Sequence, residues 1–447
     1  MIRYGHSVLA SAIYVNHEFL FQQPAATTGL WGRWRSWPLY LRILGALAIG
    51  VIVGLTFGAS VGWLAIPAKL VLRLLGALAP PLILIAVIRA ILQVELKGNI
   101  GLRIARLLLL NTLVAIFIGL FVANVIEPGS VAKITPPETQ TATKAGPDPI
   151  QQLLDNVPKS LLGPLGDDGK VIGVIFIAVA FGIALRRFRE TPIRNVMDLT
   201  DIAFGAIITV LRWVIEVIPV AVFGIVASIV GTKGLSDFKA LGLFVVAVIV
   251  ALLLQATYYL LRVRFGSWVK PMDLLRGARD AMVMAFSTAS STATSPVTYA
   301  CLKDRVGLRE QSASLGALVA SNFNNDGTAL YEAMAALFIA QMLGLELTYT
   351  QQFLVVITSV FASVGAAGIP EAGLVTMTMV FKAVGLPIEY IAILLTVDWF
   401  LDRCRTMVNM MGDMNIACLL DGKTRENKIL DTPIARNGQF AKANSKS

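Results

Sequence analysis

Asp398, Asp402, Arg405, Asn409 and Asp413 follow one another at spacings of 4, 3, 4 and 4 in an otherwise oily stretch. At about 100° per residue they fall within roughly 80° of arc, so they form one polar stripe on a helix. The flanking runs, 390–397 and 416–420, are apolar enough to lie in a bilayer. Charge at membrane depth is costly, so such a stripe reads as an ion or substrate path. The alternative is a set of charges that neutralise one another inside a helix bundle.

Two further clusters carry chemistry. Residues 287–296 run Ser-Thr-Ala-Ser-Ser-Thr-Ala-Thr-Ser-Pro. Small residues like these pack membrane helices closely, but Pro296 and the hydroxyl density favour the tip of a hairpin. A serine nucleophile would need a base. The two histidines, His6 and His17, lie near the N-terminus, and no Gly-x-Ser-x-Gly elbow occurs, so hydrolase chemistry is set aside. The second cluster, Asn324-Asn325-Asp326-Gly327-Thr328, places amides and a carboxylate within an apolar stretch. An unwound turn here would offer carbonyls and Asp326 to a hard monovalent cation; the alternative is a polar kink satisfied by its neighbours. Glu332, one turn beyond Thr328, is a protonatable group suited to carrying a proton, or else a hydrogen-bonding member of the bundle.

These residues need a membrane scaffold to hold them. Of 447 residues, 56% are hydrophobic and 15% charged, and the mean hydropathy is +0.72, which makes the chain a polytopic membrane protein. The net charge of +10 resides in short loops between apolar spans, as topology requires, and argues against nucleic-acid binding. Cys301, Cys404 and Cys418 form no paired framework. Apolar spans lie near 39–59, 63–94, 101–126, 171–186, 200–231 and 238–263. Basic loops at 97–106, 186–194 and 262–279 are expected on the cytoplasmic side, with the N-terminus. The polar first 38 residues lack a cleavable signal pattern, and 127–169 reads as a surface loop.

After residue 270 the apolar stretches shorten. Breaks at 287–296, 320–328 and 362–373 are too irregular to face lipid, and are tolerated where backbone lines a cavity. The first and last each sit between half-length arms, as in a re-entrant hairpin. Paired interruptions of this kind point to a transporter's midplane site and an inverted repeat.

The order Ser-Ser-Thr-Ala-Thr-Ser-Pro, Asn-Asn-Asp-Gly-Thr-Ala-Leu-Tyr-Glu, Gly-Ala-Ala-Gly-Ile-Pro and Asp-Trp-Phe-Leu-Asp-Arg-Cys-Arg-Thr-Met-Val-Asn-Met-Met-Gly-Asp resembles the glutamate/aspartate–cation symporters, also called dicarboxylate/amino acid:cation symporters. The resemblance covers about residues 39–425. It implies an all-α polytopic membrane protein with eight transmembrane helices, two re-entrant helical hairpins and inverted repeats. An extension (1–38) and a C-terminal tail (426–447) would flank the symporter domain, both termini being cytoplasmic in the cell membrane. Scaffold helices at about 39–96 and 170–231 would hold a transport domain at about 99–126 and 237–421, with hairpins at about 271–307 and 350–384. A homotrimer working by elevator motion is implied, with the second hairpin as outer gate.

By position, the resemblance gives Arg405 the substrate's side-chain carboxylate, for which a planar fork is suited. It gives Asp402 the α-ammonium, and Asn409 and Ser291 the α-carboxylate. Thr328, Thr406, Gly368 and Ile369 complete the pocket. The substrate is then glutamate or aspartate, with C4-dicarboxylates or neutral amino acids, or an uncoupled channel or sensor, as alternatives. No cofactor is implied; the coupling ions are sodium, protons or both. One sodium site would use Asn324, Asn409 and Asp413, with Ala320 where a glycine is common. A second would use carbonyls of Asn322, Asn325, Ser363, Val364 and Ala366. Asp326 and Thr112 are further cation ligands, and Glu332 the proton carrier. Arg403, with Ala289 opposite, and Glu332 resemble the animal members. Departures are Asn325 for the usual methionine, Leu108 and Asn111 at a third sodium site, and Glu371 at the second hairpin's tip. They leave one sodium site intact, a second possible and a third rewritten.

Overall fold

The computed structural model describes residues 37–93, 100–131, 191–233, 236–366 and 372–424, with isolated positions between 161 and 188. No strand occurs among the described residues. Residues 1–36, the tail at 426–447, most of the 127–169 loop and of the span at 171–186, and Gly368, Ile369 and Glu371 lie outside them.

The first helix, α1 (Leu39–Phe57), ends at Gly58, whose φ of 57° turns the chain into a 3-10 segment before α2 (Ile66–Gln93). Then come α3 (Ile100–Ile126), α4 (Val196–Glu216), α5 (Ile218–Lys233) and α6 (Ser236–Gly266). Leu41–Leu78, Ile100–Val131 and Lys239–Gly266 are long and apolar enough to cross a membrane. The pair α4 and α5, bent by 40°, makes a fourth span if read as one. Pro219 explains the bend, since it brings no N–H to the helical ladder. Close to this bend Arg42 of α1 reaches Glu216 at 2.7 Å, a neutralised pair inside the helix cluster.

Beyond α6 the elements shorten, as the broken apolar pattern requires. Helices α7 (Pro271–Gly277), α8 (Arg279–Thr288) and α9 (Ser291–Ala300) build the first hairpin. Ten residues rise only about 15 Å, half a bilayer, so α8 and α9 are re-entrant arms rather than spans. Their tip is sharp: Ala289 adopts a left-handed conformation (φ 49°), and the Ser290 side chain caps α9 by accepting from the Ala293 N–H at 3.2 Å. At the hairpin's base Arg305 pairs with Asp280 at 2.7 Å and holds that carboxyl below its usual range.

A short helix, α10 (Glu310–Ser314), runs through π and 3-10 turns to Asn322; the chain is unwound at 323–325 and re-enters helix as α11 (Asp326–Met342). The second hairpin is α12 (Tyr349–Gly365), opened by a Thr348/Gln351 capping box, and α13 (Ala372–Ala383). The last helix, α14 (Ile391–Asp421), has 31 residues and reaches about 46 Å, ample for a bilayer despite its charges.

Helix α11 is the axle: every residue but Gln341 is buried. It packs against α3, α6, α12, α13 and α14, while α8 and α9 lie on α14. A second packing group joins α1 to α5 and α2 to α4; α12 and α13 meet it at α2. At the far end of α14 the Asp421 carboxylate accepts from Trp268 Nε1 at 2.7 Å and from Arg309 Nε at 3.0 Å. Arg103 of α3 donates to the Leu419 carbonyl at 2.8 Å. Arg309 Nη2 also donates to the Asp421 carbonyl at 2.7 Å, so two of the last turn's orphan carbonyls are satisfied, and α14 is tied to both hairpin-one connections.

Candidate functional site

All five stripe residues of α14 are buried, and their face meets α11 and the hairpins. Arg405 is wholly buried. Its Nη2 donates to Asp402 Oδ1 at 2.8 Å and lies 3.0 Å from Asp398 Oδ1. The guanidinium carbon stands 4.0 Å from the centre of the Tyr331 ring, a cation–π contact from α11. Asp398 is thus the second counter-ion of Arg405, two helical turns back on the same face. Spacing alone gave its face but not its partner, and Tyr331 had no sequence signal beyond its place before Glu332.

Two donor atoms of that guanidinium, Nε and Nη1, have no hydrogen-bond partner among the described residues. Buried donors of a charged group are rarely left unpaired without a reason. A Cβ on Gly373, at the start of α13, would come within 3.3 Å of Nη1 and 3.1 Å of the Thr328 methyl. The second arm of hairpin two therefore closes against the open edge of Arg405, and glycine permits the approach.

The unwound turn before α11 faces the lower half of the stripe. Asn409 Oδ1 accepts from the Gly327 N–H at 2.7 Å, and Asn409 Nδ2 lies 3.4 Å from Thr328 Oγ1. Asn324 donates through Nδ2 to the Asn409 carbonyl at 2.8 Å and to Asp413 Oδ1 at 2.9 Å. The Asn324 amide oxygen is buried with no partner among the described residues. The structure thus joins Asn324, Asn409 and Asp413 in one cluster rich in oxygen, the donor atom hard cations require.

Asp326 joins a different cluster. It accepts from Thr112 Oγ1 at 2.6 Å and from the Tyr259 hydroxyl, so α3, α6 and α11 meet on one carboxylate. Beside it the Arg262 guanidinium donates to Asn111, and Asn415 of α14 donates to the Tyr259 carbonyl at 3.0 Å. Tyr259 was not singled out in the sequence, where it is one of two adjacent tyrosines in an apolar span. Glu332 is fully buried; Thr376 of α13 donates to one carboxylate oxygen, and the other has no partner among the described residues.

The remaining expected residues fall as follows. Ser291 is buried in the first turn of α9, and Ser295 links that turn to Ser321 at 3.2 Å. The Thr406 hydroxyl donates to the Asp402 carbonyl at 2.8 Å. Asn322 turns its amide back to the Leu318 carbonyl at 2.8 Å. The Ser363 and Ala366 carbonyls both accept from the Asn325 side chain, at 2.9 and 3.3 Å, while Val364 lies between them, partly buried. Gly368 and Ile369 are outside the described residues. Arg403 donates to the Phe286 and Ser287 carbonyls at 3.1 and 2.8 Å, pinning α14 to the first arm of hairpin one.

A model of the sodium:dicarboxylate symporter family matches residues 39–423, which takes in every element described above. The chain belongs to the sodium:dicarboxylate symporter family. Similar proteins include an excitatory amino acid transporter of Caenorhabditis elegans, 30% identical over 83% of this chain and 84% of its own length. Excitatory amino acid transporter 3 of Mus musculus is 28% identical over 88% of this chain and 86% of its own length. Excitatory amino acid transporter 1 of Ambystoma tigrinum is 28% identical over 82% and 80%. This family member is accordingly a helical membrane transporter, not an enzyme.

Proposed function

We propose that this family member is a secondary active symporter of acidic amino acids, glutamate and aspartate, driven by sodium, protons or both. The observation that carries the reading is Arg405. It is buried, held by Asp398 and Asp402, and beside hairpin two keeps two donor atoms without hydrogen-bond partners among the described residues. A guanidinium fork matches a carboxylate, and an acid one turn away matches an ammonium, so the pair selects a zwitterion bearing a second carboxylate. The names of the similar proteins support the same substrate class.

In this reading Arg405 takes the side-chain carboxylate and Asp402 the α-ammonium. Asn409 and Ser291 take the α-carboxylate, with Thr328, Thr406, Gly368 and Ile369 around them. Asn324, Asn409 and Asp413 hold a sodium ion; Asp326, with Thr112 and the Tyr259 hydroxyl, forms a second polar centre open to a cation, and Glu332 carries a proton. The scaffold is α1, α2, α4 and α5, and the remaining helices move as an elevator within a homotrimer whose termini are cytoplasmic. Arg405→Cys tests the substrate assignment. Acidic amino acid uptake is expected to fall ~100-fold, the scale of losing one member of a buried charge pair, with neutral amino acids still carried. Unchanged glutamate uptake refutes it.

A further inference from the structure

Asn325 stands at the N-terminal boundary of α11, where an asparagine ordinarily turns its side-chain oxygen onto the helix's own N–H groups. Here it makes no such cap, although its backbone (φ −123°, ψ 48°) is outside the helical region. The side chain reaches hairpin two instead. Its Nδ2 lies 2.9 Å from the Ser363 carbonyl and 3.3 Å from the Ala366 carbonyl, contacts spanning 38 and 41 residues of chain. Its Oδ1 faces Asn409 Nδ2 at 3.5 Å. The residue is 4% exposed, so these contacts are made away from water.

The two carbonyls belong to the end of α12. The last carbonyls of a helix have no partner within it, and they carry the negative end of the helix dipole. Buried and convergent, they require either a cation or N–H donors, and unwound carbonyls in transporters commonly serve the former. Carbonyl oxygens only accept, so the atom between them is the amide nitrogen, and its two protons serve one oxygen each. Neither a methionine nor an aspartate could do this: one has no donor, and the other would bring oxygen against oxygen.

We propose that Asn325 is a built-in clasp, a positioning residue whose amide holds the inner end of hairpin two on α11 in place of an ion. Through Asn409, which also contacts Gly327 and Thr328, the clasp is one hydrogen bond from the substrate residues. Hairpin two then docks without consuming a cation at these carbonyls, and sodium coupling runs through the cluster at Asp413. That last consequence rests on the symporter reading; the clasp itself does not.

The test is amide hydrogen exchange of the segment 355–366 in the full-length transporter, in choline and in sodium, for the wild type, Asn325→Ala and Asn325→Asp, alongside aspartate uptake against sodium concentration. The wild type should protect this segment equally in both salts. Asn325→Ala should exchange about tenfold faster in both, the scale of one to two lost hydrogen bonds. Asn325→Asp should exchange faster in choline and regain protection in sodium, because a carboxylate among carbonyls makes an ion site, and its uptake should acquire a steeper sodium dependence. Wild-type protection that collapses in choline and returns with sodium overturns the proposal, as does unaltered exchange in Asn325→Ala. Should Asn325→Ala not fold, the salt response of the wild type and of Asn325→Asp still decides the matter. Wild-type uptake that only equilibrates under an inward sodium or proton gradient, beside an intact exchange pattern, would reject the symporter reading and leave the clasp standing.

Discussion

Arg405 shows how a buried charge can be both satisfied and available. Two carboxylates and the Tyr331 ring hold it, yet Nε and Nη1 have no hydrogen-bond partner among the described residues. The charges of the stripe neutralise one another, and the proposed substrate site lies along the same face. Glu332 is set up differently, with Thr376 as donor to one oxygen and the second oxygen without a partner among the described residues. Such a carboxyl can be carried in its neutral form, which glutamine mimics. Glu332→Gln is expected to keep aspartate uptake while making its rate alike at acidic and alkaline pH in liposomes; pH dependence that persists assigns the proton elsewhere. Residue types and a 3.6-residue repeat made the stripe legible in the sequence, since chance rarely sets five polar positions on one arc of an oily helix. Partners were not legible, because Asp398 to Arg405, Tyr259 to Asp326 and Asn325 to Ser363 are contacts that only packing brings together.

Elements follow from where the apolar pattern breaks. The hairpin tip is Ala289–Ser290, within the hydroxyl-rich 287–296, whose Pro296 lies inside α9, and 323–325 is the unwound turn ahead of α11. Both were readable because irregular backbone cannot face lipid. The bend between α4 and α5 was hidden, since hydropathy runs unbroken through it. How closely α14 approaches α6 and the unwound turn before α11 was hidden too, and it depends on Gly412. A Cβ there would lie 2.4 Å from Asn324 Nδ2 and 2.9 Å from the Tyr259 hydroxyl. Gly412→Ala must push Asn324 off Asp413, so thermal unfolding should report a loss of about 1–3 kcal/mol, the usual cost of overpacking. The sodium concentration for half-maximal uptake should rise alongside. Stability and sodium dependence that both match the wild type would contradict this packing.

At the scale of the whole molecule, the proposed elevator motion requires hairpin two to slide along α2. A Cβ on Gly76 of α2 would lie 3.9 Å from the Thr378 Cβ of α13, within the separation of about 3.5–4.5 Å that a disulfide spans. With Cys301, Cys404 and Cys418 changed to serine, Gly76→Cys with Thr378→Cys should cross-link on oxidation. Uptake should then stop, binding of aspartate should persist, and reduction should restore transport. A fully cross-linked protein that still transports would show that these two groups do not move past each other. In the proposed mechanism acidic substrate and cation move together. Its most direct test is aspartate uptake into proteoliposomes with external sodium present or replaced by choline, at an acidic and an alkaline pH. Accumulation above the external concentration is predicted only with an inward sodium or proton gradient; uptake that stops at the external level even under both gradients would show that substrate and cation do not move together.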